Sequence, residues 1–576
     1  MPHATFTELH YLAESAEWRT DRYFTYGLMT ELLQGWVAAY PGLVSVGSIG
    51  KSGEGREIWV VTLTNRETGP DDEKPAYYID ANIHAAEVTT SAAALATIQH
   101  LLTNYDTDPV VRRLLDETAL YVVPRIAVDG SELFLTTPAT VRSAATIYPS
   151  GAAYDGLEAQ DLDGDGLIGS MRINDPAGPW KISPHDARIM LPREPDEFGG
   201  DYYFVHPEGL IRNWDGGKIT IAPSQAGFDF NRNFPSEWRS HATQPGAGDS
   251  PLSAPETRAV ADFLLAHPNI HGAQLHHTAA GLILRASALY GDERIPPLDL
   301  RAYKVIGAIG EEFTGYRCES PFHSNPYQPG KPSYGVSIDW FYDSLGIITF
   351  MTELWGLAHH AGIPSTNYIQ LEEGRTEDQD RQILRYLDER ADSRGFTPWT
   401  PFEHPQLGPV EIGGWEFKFG LMNPPGPLLR DVIASAVPFA VAAMGTAPHL
   451  RISASGAERV ADGVYRVWVD VANDGFLPTS GSEANKASGK GKPLTAHLAL
   501  PADARLLPAS GKAEQALEHL AGRVGQHTSL HFSASYPNLS RGRAEWLVAA
   551  PADTSLTITV RAEKAGTRRV TVVTGG

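Results

Sequence analysis

Two side chains of types that bind zinc follow a stretch predicted to be a buried strand. The apolar stretch Ala76–Ile83 (AYYIDANI) runs directly into His84, and Glu87 follows three residues later. A His and a carboxylate three residues apart can point the same way on one helical turn, and both are zinc ligands. The pair is a weak signal by itself, because a chain with 20 His residues contains such spacings by chance.

A catalytic zinc needs a third protein ligand and keeps one position open. The stretch Gly272–Thr278 (GAQLHHT) ends a second predicted strand with two adjacent histidines, His276 and His277. Adjacent residues of a strand point to opposite faces, so only one of the two can reach a metal. The residue pattern alone leaves the choice between them open.

A carboxylate stands in a third apolar stretch, Ile347–Leu354, which contains Glu353. Burying a charge is costly, so a carboxylate in this setting needs a reason. One reason is a role as general base that activates a water beside a metal. The alternative is a Glu paired with an Arg, and the residue alone does not decide between them.

The elements that must position these residues alternate between about residues 20 and 445. The predicted strands also include Glu57–Leu63, Ala119–Ile126, Ile270–Leu275 and Gly346–Leu354. The predicted helices are Tyr23–Tyr40, Thr89–Tyr105, Ala254–Ala266 and Arg301–Gly315. Such alternation predicts an α/β fold, a sheet covered by helices on both faces.

The chain divides into two predicted domains. Residues 1–447 form the α/β domain, with a loop-rich insertion over about 143–228 that contains short strands. Residues 448–576 have short alternating apolar runs separated by turn residues, which predicts a β-sandwich. Within it, Thr479–Lys492 (TSGSEANKASGKGK) is of low complexity and predicts a mobile loop.

Composition excludes several partners. The net charge of −22 argues against nucleic acid and anionic membrane surfaces, which need a basic footprint. The single cysteine, Cys318, excludes an intrachain disulfide. No signal peptide or membrane-spanning stretch is evident, so we predict a cytoplasmic protein. A secreted form trimmed of its signal would look the same, and the oligomeric state stays open.

Several motifs in order give the chain a resemblance to the carboxypeptidase A-like zinc metallocarboxypeptidases, over about residues 20–440. The motifs are Pro41–Val44 with Gly50–Arg56, His84–Glu87, Val128–Gly130 with Arg142, Asp229–Asn233, His277–Thr278, and Ser337–Trp340 with Thr352–Leu354. Thirteen positions separate Trp340 from Glu353, as the family pattern requires. The resemblance implies a mixed, mainly parallel twisted sheet and one Zn²⁺ per chain.

The resemblance assigns zinc binding to His84, Glu87 and His277, and thereby selects His277 over His276. Glu353 would take a proton from the attacking water and hand it to the leaving amine. Arg142 would stabilise the oxyanion of the tetrahedral intermediate.

The DFNRN stretch would bind substrate. Asn231 and Arg232 would hold the terminal carboxylate, which a planar guanidinium can bind through two parallel hydrogen bonds. Asp229 would orient the His84 ring without itself binding the metal. Without the resemblance, the same stretch would be a structural turn with a surface Arg.

Three positions depart from the family pattern or match it loosely. Ala86 stands where many relatives have an Arg, so one substrate contact is missing. Tyr334 is our choice for the family's mobile tyrosine, with Tyr327 as the alternative. Ile338 would lie near the floor of the side-chain pocket. Its apolar side chain argues against basic terminal residues and favours apolar or aromatic ones.

An acidic stretch in the insertion resembles an EF-hand calcium loop. Asp161, Asp163 and Asp165 occupy positions one, three and five, and Gly166 occupies position six. Position twelve is Arg172 instead of Glu, so a carboxylate elsewhere would have to complete a structural Ca²⁺ site. The alternative is a solvated acidic turn.

We therefore predict a zinc exopeptidase that hydrolyses the C-terminal bond of peptides with a free C-terminus. One alternative is a zinc amidase of the same fold that acts on cell-wall peptides or acylated amino acids. Asn231 and Arg232 disfavour it because they suit a free α-carboxylate. Another alternative is an inactive peptide-binding protein whose β-sandwich does the work. The complete ligand set and Glu353 speak against it.

Overall fold

The protein is described by a computed structural model over residues 6–146, 148, 154–223, 227–324, 330–364, 374–526 and 539–575. Eight strands of this part form the central sheet: β1 (Val44–Lys51), β2 (Glu57–Leu63), β3 (Ala76–Ala81), β4 (Ala119–Val123), β5 (Ile270–Thr278), β6 (Leu282–Arg285), β7 (Arg317–Glu319) and β8 (Ile348–Leu354).

The order of the central sheet is β1-β2-β4-β3-β5-β8-β6-β7. Its four middle strands, β4, β3, β5 and β8, run parallel. They are flanked by antiparallel contacts of β4 with β2 and of β8 with β6. The sheet is therefore mixed and mainly parallel at its centre, and the predicted fold class is confirmed.

Helices cover both faces of this sheet. On one face, Val88–Asn104, Pro297–Thr314 and Gly426–Met444 pack together against the middle strands. On the other face, Phe263 of helix Pro255–Ala266 packs against the ring of Tyr78 in β3. Every residue of β3, β4 and β5 is buried, because helices remove both faces from water.

The remaining described α-helices are shorter or lie at the periphery. They are Phe6–Leu9, Tyr26–Ala39, Pro109–Glu117, Val128–Thr136, Ser337–Asp339, Leu357–His360, Glu377–Arg390 and Glu483–Ala487. One segment, Phe417–Met444, is long and apolar enough to span a membrane by length and composition alone. In this fold its helix Gly426–Met444 packs between two other helices, and 56% of its most apolar window is buried.

The insertion contributes most of a second sheet. Its six strands follow the order Phe396–His404, Gly408–Trp415, Ser170–Asn174, Tyr203–Pro207, Trp180–Ile182 and Met190–Pro192. A separate pair joins Gly156–Ala159 and Gly209–Arg212. The insertion therefore pairs with strands that come more than 180 residues later, which local sequence patterns do not predict.

The C-terminal part is a β-sandwich with its own apolar core. One sheet contains Leu450–Ala461, Val464–Asn473, Arg541–Ala549 and Arg505–Leu506, and the other contains Glu514–Leu517, Leu494–Ala499, Ser555–Ala562 and Gly566–Val573. The predicted sandwich is confirmed. The predicted mobile loop over Thr479–Lys492 is wrong, because this segment contains the helix Glu483–Ala487 and contacts the α/β domain.

Candidate active site

The turn after β3 presents His84 and Glu87. Asn82 adopts a left-handed conformation, with φ 57°, and its Nδ2 donates to the carbonyl of His84 at 2.6 Å. The amide of Ala85 donates to the carbonyl of Arg142 at 2.7 Å, which ties a second loop to this turn. Helix Val88–Asn104 begins immediately after Glu87. The turn is therefore fixed at both ends, and so are the two side chains that it carries.

His84, Glu87 and His277 come together in a buried cluster whose candidate ligand atoms all lie within 4.8 Å of one another. Nδ1 of His84 lies 2.7 Å from Glu87 Oε1, and Nδ1 of His277 lies 3.2 Å from Glu87 Oε2. Burial opposes ionisation of Glu87, but the two facing imidazoles outweigh it and hold its pKa well below the ordinary value.

The donor set fits zinc. Each imidazole turns one nitrogen toward the carboxylate, and His84 turns its other nitrogen, Nε2, to Asp229 Oδ1 at 3.0 Å. A carboxylate behind a ligating His is the usual arrangement in zinc sites, because it fixes the ring and the tautomer. Nε2 of His277 is buried without a partner among the described residues. Two His and one Glu match the ligand types of catalytic zinc sites.

The structure separates the two adjacent histidines. His277 faces Glu87, whereas neither ring nitrogen of His276 has a hydrogen-bond partner in the described part of the chain. Burial lowers the pKa of His276 to about 3, so this side chain is neutral. The opposite orientation of neighbouring strand residues, predicted from the sequence, is thus observed, and His277 is the one that reaches the cluster.

Glu353 lies next to His277 in the register between β8 and β5. It is the one residue of β8 that is partly exposed. Burial, together with the negative charge of Glu87, raises its pKa well above the ordinary value, and the charges of Arg142 and Arg232 partly oppose this rise. These surroundings therefore favour the protonated form of the Glu353 carboxyl group unless a further cation lies nearby.

Arg142 and Asp229 form the wall beside the cluster. Nε of Arg142 donates to Asp229 Oδ2 at 3.0 Å, and its Nη1 lies 3.5 Å from Glu87 Oε1. Burial opposes ionisation of Asp229, but Arg142, His84 and Arg232 hold its pKa well below the ordinary value. Asp229 therefore stays charged and can orient both His84 and Arg142.

Asn231 and Arg232 follow Asp229 in a short 3₁₀ turn. The side-chain oxygen of Asn231 accepts from the amide and the hydroxyl of Ser337, at 2.9 and 2.8 Å. Within the described residues, the side-chain amide nitrogen of Asn231, a donor, has only a 4.0 Å contact to the sulfur of Met351. Arg232 is close enough for its charge to lower the pKa of both Asp229 and Glu353.

The two predicted pocket residues have structural contacts of their own. The Tyr334 ring stacks under the Arg239 guanidinium, 4.8 Å from its centroid, and Ile338 is fully buried in the main core. Their roles in substrate binding stay predictions. The alternative tyrosine, Tyr327, lies outside the described residues.

A cleft of about 390 Å³ opens beside the cluster. Glu87, Arg142 and Asp229 line its floor, and two apolar residues that the sequence did not reveal, Phe417 and Met422, contribute to its wall. Phe417 is 40% exposed and is therefore accessible from the cleft. Both residues follow the strand Gly408–Trp415, and no chemical motif marked this segment.

The acidic loop gives no support to calcium. Asp161 and Asp163 approach Glu208, which supplies the carboxylate that the loop itself lacks, but Asp165 does not join this group. Asp161, Asp165 and Glu208 each accept hydrogen bonds from backbone amides of the loop, among them Gly164, Leu167 and Gly169. These bonds account for the loop conformation without an ion.

The chain matches a family of known function. A family model described as zinc carboxypeptidase matches residues 29–155 and 201–377, more than half of the chain. The chain therefore belongs to the zinc carboxypeptidase family. Residues 449–573, which contain the β-sandwich, match a model described only as a domain of unknown function.

Several curated proteins are similar to parts of the chain. Carboxypeptidase A2 of Rattus norvegicus is 26% identical over 333 residues, 57% of this chain and 61% of that protein. Carboxypeptidase D of Mus musculus is 32% identical over 154 residues, 27% of this chain. The chain spans only about a tenth of the length of carboxypeptidase D. A crystal structure of thrombin activatable fibrinolysis inhibitor is 16% identical, covering 76% of this chain and 80% of that one, with a TM-score of 0.46.

Proposed function

We propose that the protein is a zinc-dependent carboxypeptidase that removes C-terminal residues from peptides. The single observation that carries this proposal is the buried cluster of His84, Glu87 and His277 with Glu353 beside it. Membership in the zinc carboxypeptidase family supports zinc as the metal. When bound, the ion would polarise the scissile carbonyl and lower the pKa of a water.

The chain's own residues supply the proton transfer. Glu353 takes a proton from the attacking water and delivers it to the leaving amine. A zinc ion at the cluster would offset the negative charge of Glu87 and favour the ionised, basic form of Glu353.

Arg142, Asn231 and Arg232 would bind the substrate. Arg142 points into the cleft from its ion pair with Asp229, where it can donate to the developing oxyanion. The unused donor of Asn231 and the guanidinium of Arg232 provide a charge-assisted site for a terminal carboxylate. This site is the reason to prefer an exopeptidase over an amidase that acts on substrates without that group.

Specificity follows from apolar surroundings. The preference for apolar or aromatic terminal residues that the sequence predicts is supported by Phe417 and Met422 and not by Ile338, whose side chain is fully buried. Phe417 and Met422 give the cleft an apolar wall, and Ala86 adds no charge to it. We propose that the protein is cytoplasmic and acts on peptides with a free C-terminus that end in an apolar or aromatic residue.

Two matched substrates test the proposal. The purified protein is analysed for zinc and incubated with an N-blocked dipeptide ending in Phe, as the free acid and as the amide. We expect about one Zn²⁺ per chain and hydrolysis of the free acid that is much faster than the residual hydrolysis of the amide. Equal hydrolysis of the amide would favour the amidase. Absence of both zinc and hydrolysis would favour the inactive binding protein.

A further inference from the structure

The β-sandwich contacts the central sheet at the strand ends that lie opposite the candidate active site. Because β3, β5 and β8 are parallel, their amino-terminal ends lie together on one side of the sheet and their carboxyl ends lie together on the opposite side. His84, His277 and Glu353 lie at or just beyond the carboxyl ends. All three amino-terminal ends have contacts with the sandwich.

The contact with β5 is made by a buried lysine. Nζ of Lys564 donates to the carbonyl of Ile270, the first residue of β5, at 2.7 Å, and Lys564 is only 5% exposed. Gly481, with φ 78°, lets the lysine pass, because a Cβ there would lie 2.4 Å from Lys564 Cδ. The sandwich thus places a buried lysine against the start of the strand that carries His277.

The contact with β8 lies two residues before the strand begins. The hydroxyl of Ser482 donates to the carbonyl of Gly346 at 2.9 Å. Gly346 has φ 63°, and a Cβ there would lie 2.2 Å from Cβ of Asn485. The sandwich therefore approaches this turn too closely for any residue but glycine, at the start of the strand that carries Glu353.

Asp299 of the α/β domain binds the sandwich helix Glu483–Ala487, which begins directly after Ser482. Its two carboxylate oxygens accept from the amides of Glu483 and Ala484, at 2.7 and 2.9 Å. One of these oxygens also accepts from the hydroxyl of Tyr342, four residues before Gly346, at 2.8 Å. A single buried carboxylate thus joins the helix to the segment that leads into β8.

The contact near β3 combines close backbone packing with a surface ion pair. Gly566, with φ 82°, lies so near this segment that a Cβ there would be 2.5 Å from the carbonyl oxygen of Glu73. Arg569 Nη1 donates to Glu73, three residues before β3, at 2.7 Å. The Arg569 side chain is exposed and that of Glu73 is partly exposed, and such surface pairs contribute little to stability. The contacts at Ile270 and Gly346 are the ones made to the strands that carry His277 and Glu353.

We propose that the C-terminal sandwich is a positioning domain for the active site. It fixes the amino-terminal ends of β5 and β8 and thereby sets the relative position of His277 and Glu353 at the other end. The seven-residue step from Ile270 to His277 spans roughly 23 Å of strand. Close-packed interiors are poorly compressible and transmit displacements over such distances. This role goes beyond the proposed peptidase activity. It rests on the proposed function only where zinc affinity is the quantity measured.

Hydrogen exchange in the metal-free protein tests the coupling directly. Lys564→Met keeps the length of the side chain but removes the donor. Lys512→Met, at an exposed position of the same sandwich, is the matched control. We expect Lys564→Met to speed amide exchange several-fold at residues 275–278 and 351–354, and the control to leave it unchanged. Faster exchange confined to the sandwich and the residues around Ile270 would overturn the proposal.

Zinc affinity is the second readout, measured by competition with a chelator. We expect the dissociation constant to rise about tenfold in Lys564→Met, similar to the loss of a group that orients a zinc ligand. Ser482→Ala, a milder change at β8, is measured in parallel, so that the test stands even if Lys564→Met does not fold. Unchanged exchange at both strand ends in Ser482→Ala would overturn the proposal. A wild-type protein that binds no zinc would refute the proposed function, while the exchange result would still decide the coupling.

Discussion

His277 and Glu353 lie directly opposite each other on the adjacent parallel strands β5 and β8. Residues paired in this way point to the same face of the sheet. The pairing therefore brings a zinc-ligand type and a carboxylate together without any loop that could move them apart. This relationship underlies the first two predictions.

Glu353→Gln should keep zinc but lose turnover. The amide cannot accept the water's proton, and general acid–base catalysis typically contributes about 10²–10⁴-fold in rate. Metal analysis and the rate of dipeptide hydrolysis check this, with Glu403→Gln, on an exposed part of the second sheet, as control. A rate near that of the wild type would remove Glu353 from the mechanism.

The two neighbouring histidines should respond in opposite ways. His277→Ala should abolish zinc binding, because it removes a ligand. His276→Leu should keep zinc and full activity, since it replaces a neutral, unpartnered buried ring by an apolar side chain. Zinc titration of both variants is the measurement. If His276→Leu lost zinc while His277→Ala kept it, His276 would be the zinc ligand instead of His277.

Arg232→Met should weaken the recognition of the terminal carboxylate. Hydrogen bonds to charged groups contribute roughly 1.5–3 kcal/mol, which corresponds to a loss of about 10–150-fold in kcat/KM for a free-acid peptide. Residual cleavage of the matching amide should not change, because that substrate lacks the carboxylate. Equal losses on both substrates would indicate a structural role for Arg232.

The pH dependence of stability should report on Lys418. Burial lowers its pKa to about 7 in the folded protein, below the ordinary value of 10.5. Between these values the unfolded state binds more protons, so the free energy of unfolding should rise with pH. The contribution of one such group approaches about 1.4 kcal/mol per pH unit. Lys418 lies next to Phe417 in the short helical segment Phe417–Met422.

Chemical denaturation at several pH values between 7.5 and 9.5 checks this prediction. Lys418→Met should lower stability, because the carbonyls of Phe134 and Thr137 lose their donor. It should also remove part of the rise with pH. An identical pH slope in the wild type and the variant would mean that Lys418 stays charged in the fold.

The central strands were predictable because their signal is local. The apolar runs Ala76–Ile83 and Ala119–Ile126 begin where the observed strands begin, since burial on both faces requires a largely apolar stretch. The sequence also predicted that His276 and His277 face opposite sides. It could not decide between them, because the deciding fact is the register of β5 against β8, which depends on residues far apart in the chain.

The features that the sequence did not predict likewise depend on contacts between residues far apart in the chain. The composition of Thr479–Lys492 is typical of a mobile loop, but Asp299 caps a helix there and Gly346 leaves room for it. Both partners lie more than 130 residues away. Phe417 likewise shows no motif, and only the tertiary fold places it in the wall of the cleft.

Mass analysis of products from a single peptide tests the central claim most directly. A peptide with a free C-terminus and several apolar residues at that end is incubated with the protein, with the protein stripped of metal, and with the stripped protein after addition of Zn²⁺. We expect stepwise loss of single residues from the C-terminus, abolished by stripping and restored by Zn²⁺. Internal cleavage, loss from the N-terminus, or cleavage that survives metal removal would contradict the account.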